Sequence, residues 1–396
     1  MHCDSAVTWR AIASLNVRHR IRRLLMSLFL ASLVQAMPAL GADNVVLITL
    51  DGLRWQELYR GLDKDLATHP EFAPRGDELM ALFWDDDPTE RARRLMPFLH
   101  EVVMKQGTHA GNRDADSCAR ISNPWHFSFP GYSEIVTGVV NPAINTNGKH
   151  PNPEKSFLEL LESQPAFRGR SAAFGSWDVF PWIFNVSRSG LPVNAMGTTT
   201  APADEFEETL VQLEKDIPYP WKTVRHDAFT HHYAQSWLRR EAPRVLFISY
   251  GETDDFAHDG RYDEYIFAAQ RGDRFIREIW EALQSLEAYR DSTVLFVTVD
   301  HGRGETPLET WKHHASKASI QGYMQSLAQY EDGILGSEDV WMAALGPGVP
   351  ASGLVRTGDD GCLTSNRIAT TLLQHLGVDY RGLNPDMGAP MREFLP

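Results

Sequence analysis

Short apolar runs alternate with longer amphipathic segments along most of the chain. Four runs, at residues 44–50, 244–250, 294–300 and 340–345, are mostly apolar or β-branched. Such runs are typical of strands buried on both faces of a parallel sheet. Apolar positions with helical spacing lie between them, most clearly at residues 262–286. Strands that alternate with helices predict an α/β protein whose largely parallel central sheet is covered by helices on both faces, a three-layer α/β/α sandwich.

Two segments lack a clear hydrophobic period. Residues 53–95 are rich in charged side chains, and we expect helices and loops beside the core. Residues 178–203 contain three prolines and a run of threonines, which predicts a loop. Neither segment has the composition of a linker between domains, so the sequence predicts a single domain.

The first residues have the pattern of an export signal. Four arginines between residues 18 and 23 precede an apolar run at 24–34, and small residues follow at 39, 41 and 42. We expect a signal peptide over residues 1–42, cleaved after Gly41 or Ala42, and a mature domain over 43–396. The alternatives are a membrane anchor or a buried first helix, but the run is short for a span of about 20 residues. The prediction is a periplasmic or secreted protein without a stable membrane anchor after cleavage.

Net charge and cysteine content narrow the possible partners. The formal charge is −14 and no basic patch is visible after the leader, which argues against binding to duplex nucleic acid. A small anion remains a possible partner. Of the three cysteines, Cys118 and Cys362 lie in the mature region. Export permits a disulfide between them, and two unpaired thiols are the alternative.

Ligand-type side chains follow three of the predicted strands. Asp51 follows the first, Asp254 and His258 follow the second, and Asp300 and His301 end the third. The carboxyl ends of parallel strands lie at one edge of the sheet, where ligands bind in this class of fold. Taken singly, Asp51 could cap a turn, and the Asp254/His258 pair could be a solvated pair on one helix face. Together these residues predict a metal site.

Ser128 lies just before a predicted helix at residues 131–136, in a stretch where Pro130 suits the first turn. Free backbone N–H groups and the helix dipole favour an anion at that position. A simple N-cap role for the serine is the alternative.

Four of these stretches resemble a known family. They read NVVLITLDG (44–52), SFPGYSEIVTG (128–138), TDDFAHDG (253–260) and VTVDHGRG (297–304). They resemble, in order, the motifs of the alkaline phosphatase superfamily, and most closely its nucleotide pyrophosphatase/phosphodiesterase branch. The resemblance spans residues 44 to about 375 and implies an alkaline-phosphatase-like fold with two divalent metal ions, most often Zn²⁺, at the sheet edge.

The resemblance also implies a role for each matching residue. The implied metal ligands are Asp51, Ser128, Asp254, His258, Asp300, His301 and one histidine of Trp311-Lys-His-His-Ala315. Ser128 is the implied nucleophile. The last ligand is His313 or His314, and we favour His314 because a small residue follows it, as in the family. Ser133 is the rival nucleophile, although its place inside the helix favours a structural role.

The implied reaction is hydrolysis of a small phosphate ester through a phosphoseryl intermediate that water then hydrolyses. Carboxylates and imidazoles suit Zn²⁺, and a bound dication activates a serine hydroxyl that is otherwise a poor nucleophile. Phosphodiesters or nucleotide pyrophosphates are the favoured substrates. Phosphomonoesters, or sulfates and phosphonates cleaved through the serine, are alternatives on the same fold. A non-catalytic metal- or ligand-binding protein is the alternative of another class.

Two departures from the family concern substrate recognition. Gly131 stands where the branch usually has Asn, and the later Asn that donates to the phosphoryl group is matched only approximately, by Asn145 or Asn147. Asn147, Asn123 and Arg303 are therefore candidate substrate-binding residues, and Arg303 could equally pair with a carboxylate. No Cys-x-Pro-x-Arg occurs, so the formylglycine route of typical sulfatases is absent. We expect the apolar and aromatic side chains of 53–95 and 178–203 to shape the leaving-group pocket.

Overall fold

The computed structural model describes residues 41–198, 201–358 and 361–396, and these form one compact unit. The predicted signal peptide lies almost wholly outside the described residues and stays a prediction. Within the described ranges, no helix has the length and apolar content needed to cross a membrane. Cys118 and Cys362 are joined in a disulfide.

An eight-stranded sheet forms the centre of the molecule, with the strand order β5-β4-β6-β1-β7-β8-β2-β9. Of these strands only β8 pairs antiparallel with its neighbours, β7 and β2. A separate pair joins β10 to β3. The strands are β1 (Asn44–Leu50), β2 (Thr108–Ala110), β3 (Ala119–Arg120), β4 (Ser171–Gly175), β5 (Val193–Ala195), β6 (Val245–Tyr250), β7 (Thr293–Thr298), β8 (Met342–Leu345), β9 (Gly353–Leu354) and β10 (Leu363–Thr364).

Helices occupy most of the remaining chain. They are α1 (Trp55–Arg60), α2 (Lys64–Ala67), α3 (Gly76–Phe83), α4 (Pro88–Leu95), α5 (Met104–Gln106), α6 (Ser128–Thr137), α7 (Phe157–Glu162), α8 (Phe180–Ile183), α9 (Val186–Ser189), α10 (Glu205–Asp216), α11 (Asp227–Glu241), α12 (Glu252–His258), α13 (Tyr262–Ser285), α14 (Lys317–Ile320) and α15 (Ile368–His375). A π-helical turn, Leu99–Val103, leads into α5.

The middle of the sheet is the driest part of the core. Every residue of β1, β6 and β7 is buried. In the parallel register Leu47 lies between Phe247 and Phe296. Since these strands carry no charged side chain, they can be covered by helices on both faces. The predicted α/β fold with a largely parallel sheet is confirmed.

Two local predictions are wrong. Residues 178–203 include helices α8 and α9 and strand β5 rather than one loop. These elements have three or four residues each, too few for a hydrophobic period to show. The helix after Ser128 begins at Ser128 itself, not at Gly131. Pro130 is tolerated there because the N–H groups of a first helical turn have no intrahelical partner.

Candidate metal centre and nucleophile

The predicted ligand residues meet at one edge of the sheet. Strand β1 lies between β6 and β7 and runs parallel to both. Their carboxyl ends are therefore neighbours, and each passes directly into the residues singled out in the sequence. Asp51 follows β1, Asp300 follows β7, and β6 leads into α12.

Two groups of ligand atoms overlap at this edge. Asp51, Asp300 and His301 form one, and Asp254, His301 and His314 form the other, each with its ligand atoms within 4.8 Å of one another. His301 belongs to both groups. Its Nε2 lies 3.4 Å from Asp51 Oδ1 and 3.4 Å from Asp300 Oδ2. The sequence-predicted ligands are thus brought together, with an imidazole at the centre.

His258 lies beside the second group without being one of its three members. The Nε2 atoms of His258 and His314 are 3.1 Å apart, and His258 Nε2 lies 3.3 Å from Asp254 Oδ2. His314 Nδ1 lies 3.1 Å from the carbonyl oxygen of His126, so its Nε2 faces Asp254 at 3.6 Å. A second hydrogen bond of this kind is how proteins orient a ligating imidazole. His313 belongs to neither group.

Buried carboxylates repel one another at this site. Burial raises the pKa of Asp51 well above its ordinary value, and repulsion by Asp300 and Asp254 adds to the rise. Burial, followed by repulsion from Asp254, raises the pKa of Asp300 to about 8. Asp51 Oδ1 and Asp300 Oδ2 are buried without a hydrogen-bond partner among the described residues. Carboxylate oxygens without a hydrogen-bond partner, next to imidazole nitrogens, are ligand atoms that suit divalent cations.

Arg303 is the buried cation at this edge. Its guanidinium forms an ion pair with Asp254, and its Nε donates to the carbonyl oxygen of Gly52 at 3.1 Å. Burial alone would raise the pKa of Asp254, but His258 and Arg303 hold that pKa well below its usual range. Arg303 thus pairs with a carboxylate, while its Nη1 has no hydrogen-bond partner among the described residues, and its substrate-binding role stays a prediction.

Ser128 lies beside the shared imidazole. Its side-chain Oγ is 3.3 Å from His301 Nε2, and the residue is 5% exposed. Helix α6 packs so closely on the end of β7 that a Cβ added to Gly131 would overlap the carbonyl oxygen of Asp300. Only glycine fits there without a shift of one of the two elements. Ser133 Oγ instead accepts a hydrogen bond from Asn152 Nδ2 at 3.0 Å.

Comparison with known proteins identifies the fold. No model of a protein family matches the chain, and no curated protein matches it. Among solved structures, the wild-type alkaline phosphatase PafA is 10% identical, with a TM-score of 0.55 over 91% of this chain and 100% of that one. The lipoteichoic acid synthase LtaP from Listeria monocytogenes is 10% identical, with a TM-score of 0.53 over 87% and 76%. A protein in the alkaline phosphatase superfamily from Vibrio parahaemolyticus is 12% identical, with a TM-score of 0.51 over 92% and 76%.

The chain has the alkaline phosphatase fold. The fold expected from the four motifs is therefore confirmed. At such low identity the likeness extends to the fold alone, so the chemistry has to be argued from this chain's own residues.

A cavity of about 180 Å³ opens beside the ligand groups of this alkaline phosphatase fold. Asn147 lines it, and the Oδ1 of Asn147 accepts the N–H of Phe129 at 2.9 Å. The Asn147 amide nitrogen makes no hydrogen bond to the described residues and can donate to a ligand. The described lining residues are Asp51, Ser128, Asn147, Trp177, Thr223, Val224, Gly251, Asp254, Asp255, His258, His314 and Met324.

Asn123 lies elsewhere. Its Oδ1 accepts the N–H groups of Trp125 and His126, and its Nδ2 donates to Glu134 at 2.9 Å. Both ends of the amide are engaged within the protein, and Asn123 is not part of the described lining. This placement gives Asn123 a structural role rather than the substrate-binding role considered from sequence.

The walls of the cavity were not predicted. Neither 53–95 nor 178–203 contributes a described residue to it. Trp177, Val224 and Met324 supply the apolar walls instead, and they come from three separate loops. No pattern along the chain links such positions, because loops are brought together only by the fold. Sequence reasoning also missed Tyr132, whose phenol donates a hydrogen bond to Asp51. Its spacing was a usable signal, because a residue four positions after Ser128 lies on the same helix face.

Proposed function

We propose that the protein is a metal-dependent hydrolase of small phosphate esters, with Ser128 as nucleophile. The observation that carries this proposal is the position of the Ser128 hydroxyl, 3.3 Å from the imidazole that both ligand groups share. A serine at a helix N-terminus, beside unpaired buried carboxylates, has little structural purpose of its own. Those two features together suit the attack of an oxygen nucleophile on an anionic ester.

Each group of side chains has a distinct role in this proposal. Asp51, Asp300 and His301 would hold one divalent cation next to Ser128, and Asp254, His258 and His314 would hold a second. When bound, zinc ions would lower the pKa of the serine hydroxyl and neutralise charge on the phosphoryl group. The Asn147 amide nitrogen would donate to a phosphoryl oxygen.

The reaction follows as two displacements at phosphorus. Ser128 Oγ forms a bond to phosphorus while the bond to the ester oxygen breaks, and the leaving alcohol takes up a proton. Water then attacks the phosphoserine, which releases the phosphate product and restores the hydroxyl. The Ser128 backbone N–H at the start of α6 favours the negative charge held there, whereas the Phe129 N–H is bonded to Asn147 and Pro130 has none.

Phosphodiesters are the substrates that the cavity favours. Its described lining contains no Lys or Arg, and it includes the carboxylate of Asp255 beside Asp254. A phosphomonoester carries about one more negative charge at neutral pH than a diester, and that charge would lack a partner beyond the two cations. We therefore propose a phosphodiesterase or nucleotide pyrophosphatase, with phosphomonoesters and sulfates as the weaker substrates. Export of the chain is in keeping with its disulfide.

The test measures hydrolysis of three esters by zinc-loaded protein. The esters are bis(p-nitrophenyl) phosphate as the diester, p-nitrophenyl phosphate as the monoester and p-nitrophenyl sulfate. We expect the diester to have the highest kcat/KM. Ser128→Ala should reduce its turnover by at least a thousandfold, whereas Ser133→Ala should keep most of it. An equal loss in the two variants would contradict the role of Ser128. No turnover of any ester by protein with two bound metals would favour the non-catalytic binding protein.

A further inference from the structure

A second and larger cavity, of about 760 Å³, lies at the outer edge of the sheet. Its walls come from β4, the outer strand β5 and helices α10 and α11. The volume is within the range of cavities that hold small-molecule ligands. The cavity is partly open to solvent, so a ligand can enter it.

The walls of this cavity are largely apolar. Phe174 and Val193 face it from the sheet, and Val211 and Trp237 face it from the two helices. Water gains few hydrogen bonds against such surfaces, so apolar cavities favour apolar ligands. The body of the ligand should therefore be aliphatic or aromatic.

The polar end of the cavity is electrically balanced. The Arg225 side chain is 2% exposed, its Nη2 donates to Asn194 Oδ1 at 2.6 Å, and its Nη1 lies 3.6 Å from Glu214 Oε1. Tyr233 Oη donates to the other oxygen of Glu214 at 3.0 Å. The described lining also carries Glu207, Lys215, Arg240 and Glu241, so its acidic and basic side chains are equal in number and the site offers no net charge to an ionic head group.

One polar atom at this end has no partner. The hydroxyl of Tyr219 is buried and has no partner of good hydrogen-bond geometry within the part of the chain that the structure describes, although burial and then the nearby Glu214 carboxylate raise its pKa. A buried hydroxyl without a partner destabilises the folded state. A ligand with a hydroxyl or amide group at its end would supply the missing hydrogen bond.

We propose that this cavity binds an uncharged amphiphilic small molecule. Its apolar body lies against Val211 and Trp237, and its alcohol or amide end bonds to the hydroxyl of Tyr219. The site is separate from the hydrolase site, and the proposal does not depend on the activity proposed for Ser128.

A short antiparallel contact between residues 176–178 and 223–225 separates the two cavities. Thr223 and Val224 line the smaller cavity, whereas Arg225 lines the larger one. This segment is held by hydrogen bonds from Asp178 N to Thr223 O, at 2.9 Å, and from Arg225 N to Ser176 O, at 3.1 Å. A phosphoryl analogue in the smaller cavity should therefore leave the larger one free.

The test is a fluorescence titration of the whole purified protein with N-phenyl-1-naphthylamine, an uncharged apolar probe. We expect saturable binding that 1-decanol displaces and that decanoate displaces at least tenfold less well. Orthovanadate, a phosphate analogue, should leave the probe bound. No saturable binding, equal displacement by decanoate, or displacement by orthovanadate would overturn the proposal.

Variants locate the probe. Val211→Trp fills the cavity from α10 and should weaken probe binding at least tenfold, with Val211→Phe giving a smaller loss. Gln212→Trp adds the same side chain on the exposed face of that helix and should change nothing. Tyr219→Phe should weaken displacement by decanol about five- to tenfold and leave the probe itself little affected. Wild-type binding in both Val211 variants, with thermal melting unchanged, would show that the probe lies elsewhere.

Discussion

The phenol of Tyr132 donates a hydrogen bond to Asp51 Oδ2 at 2.9 Å. Tyr132 lies one turn after Ser128 on α6, and Asp51 ends the central strand. This bond therefore links the helix that carries the proposed nucleophile to the first proposed ligand. The same phenol oxygen lies 2.8 Å from Ser249 Oγ on the neighbouring strand, which fixes the tyrosine in place.

Tyr132→Phe should weaken the proposed zinc site without disturbing the packing of the ring. Loss of a hydrogen bond to a ligating carboxylate typically costs 10- to 100-fold in metal affinity or activity. We expect a zinc Kd higher by about that factor, measured by competition with a chelator. Tyr289→Phe is the matched control, because it removes a buried phenol oxygen bonded to Pro243 O, outside the ligand groups. Equal zinc affinity in the two variants would leave Tyr132 with a structural role alone.

Gly131→Ala should damage the site through the backbone. The new methyl group would overlap the carbonyl oxygen of Asp300, so either α6 or the end of β7 must shift. Because both elements carry site residues, we expect turnover of the diester to fall at least a hundredfold and thermal stability to fall as well. Gly382→Ala is the control, since the nearest atom to its new Cβ is Asp379 Oδ2 at 3.8 Å. Wild-type turnover in Gly131→Ala would contradict the close packing of α6 against β7.

The sequence predicted the parts of this molecule that depend on local pattern. Asp51 and Asp300 follow apolar runs, and parallel strands bring such ends together whatever the loops do. As a proposed ligand, His314 could only be favoured over His313 from sequence, because two adjacent histidines differ only in the direction of their side chains. That direction is set by a contact with His126 O, which lies far away in the chain.

The parts that stayed out of reach depend on contacts between distant segments. Asn123 carries an amide, a group that often binds substrates, yet this amide already forms hydrogen bonds with Glu134 and two backbone N–H groups. Trp177, Val224 and Met324 become neighbours only when three loops meet over the sheet edge. Hydrophobic periodicity describes single segments, so it does not predict which distant loops come into contact.

Zinc content per chain tests the binuclear centre directly. We expect about two zinc ions per wild-type chain and about one in His258→Ala, which loses the imidazole beside Asp254 and His314. His313→Ala is the matched control, because the ring of His313 lies 6.5 Å from that of His258, outside the described ligand contacts, and the variant should keep both metals. Elemental analysis of protein dialysed against dilute zinc gives the ratio. One zinc or none in the wild type, with no recovery when zinc is added, would contradict the two-metal proposal.

The last prediction concerns pH and a carboxylate outside the ligand groups. Asp273, on α13, is 2% exposed and accepts the N–H groups of Phe98, at 2.9 Å, and Leu99, at 2.8 Å. Burial raises its pKa from 3.8 to about 6, and the two hydrogen bonds offset only part of that rise. Between these values the folded state keeps a proton that the unfolded state has lost. The contribution of Asp273 to the free energy of unfolding therefore falls as pH rises from about 4 to about 6, by about 3 kcal/mol in total.

Asp273→Asn removes this titration and leaves a pH-independent cost, because an amide has one acceptor oxygen for two N–H groups. Relative to wild type, the free energy of unfolding of the variant should rise by about 3 kcal/mol between pH 4 and pH 7, measured by urea unfolding at each pH. Asp386→Asn, at an exposed position, should show no such gain. A constant difference between Asp273→Asn and wild type would mean that the carboxylate ionises as readily in the folded state as in the unfolded one. The two backbone N–H groups would then offset the full cost of burying its charge.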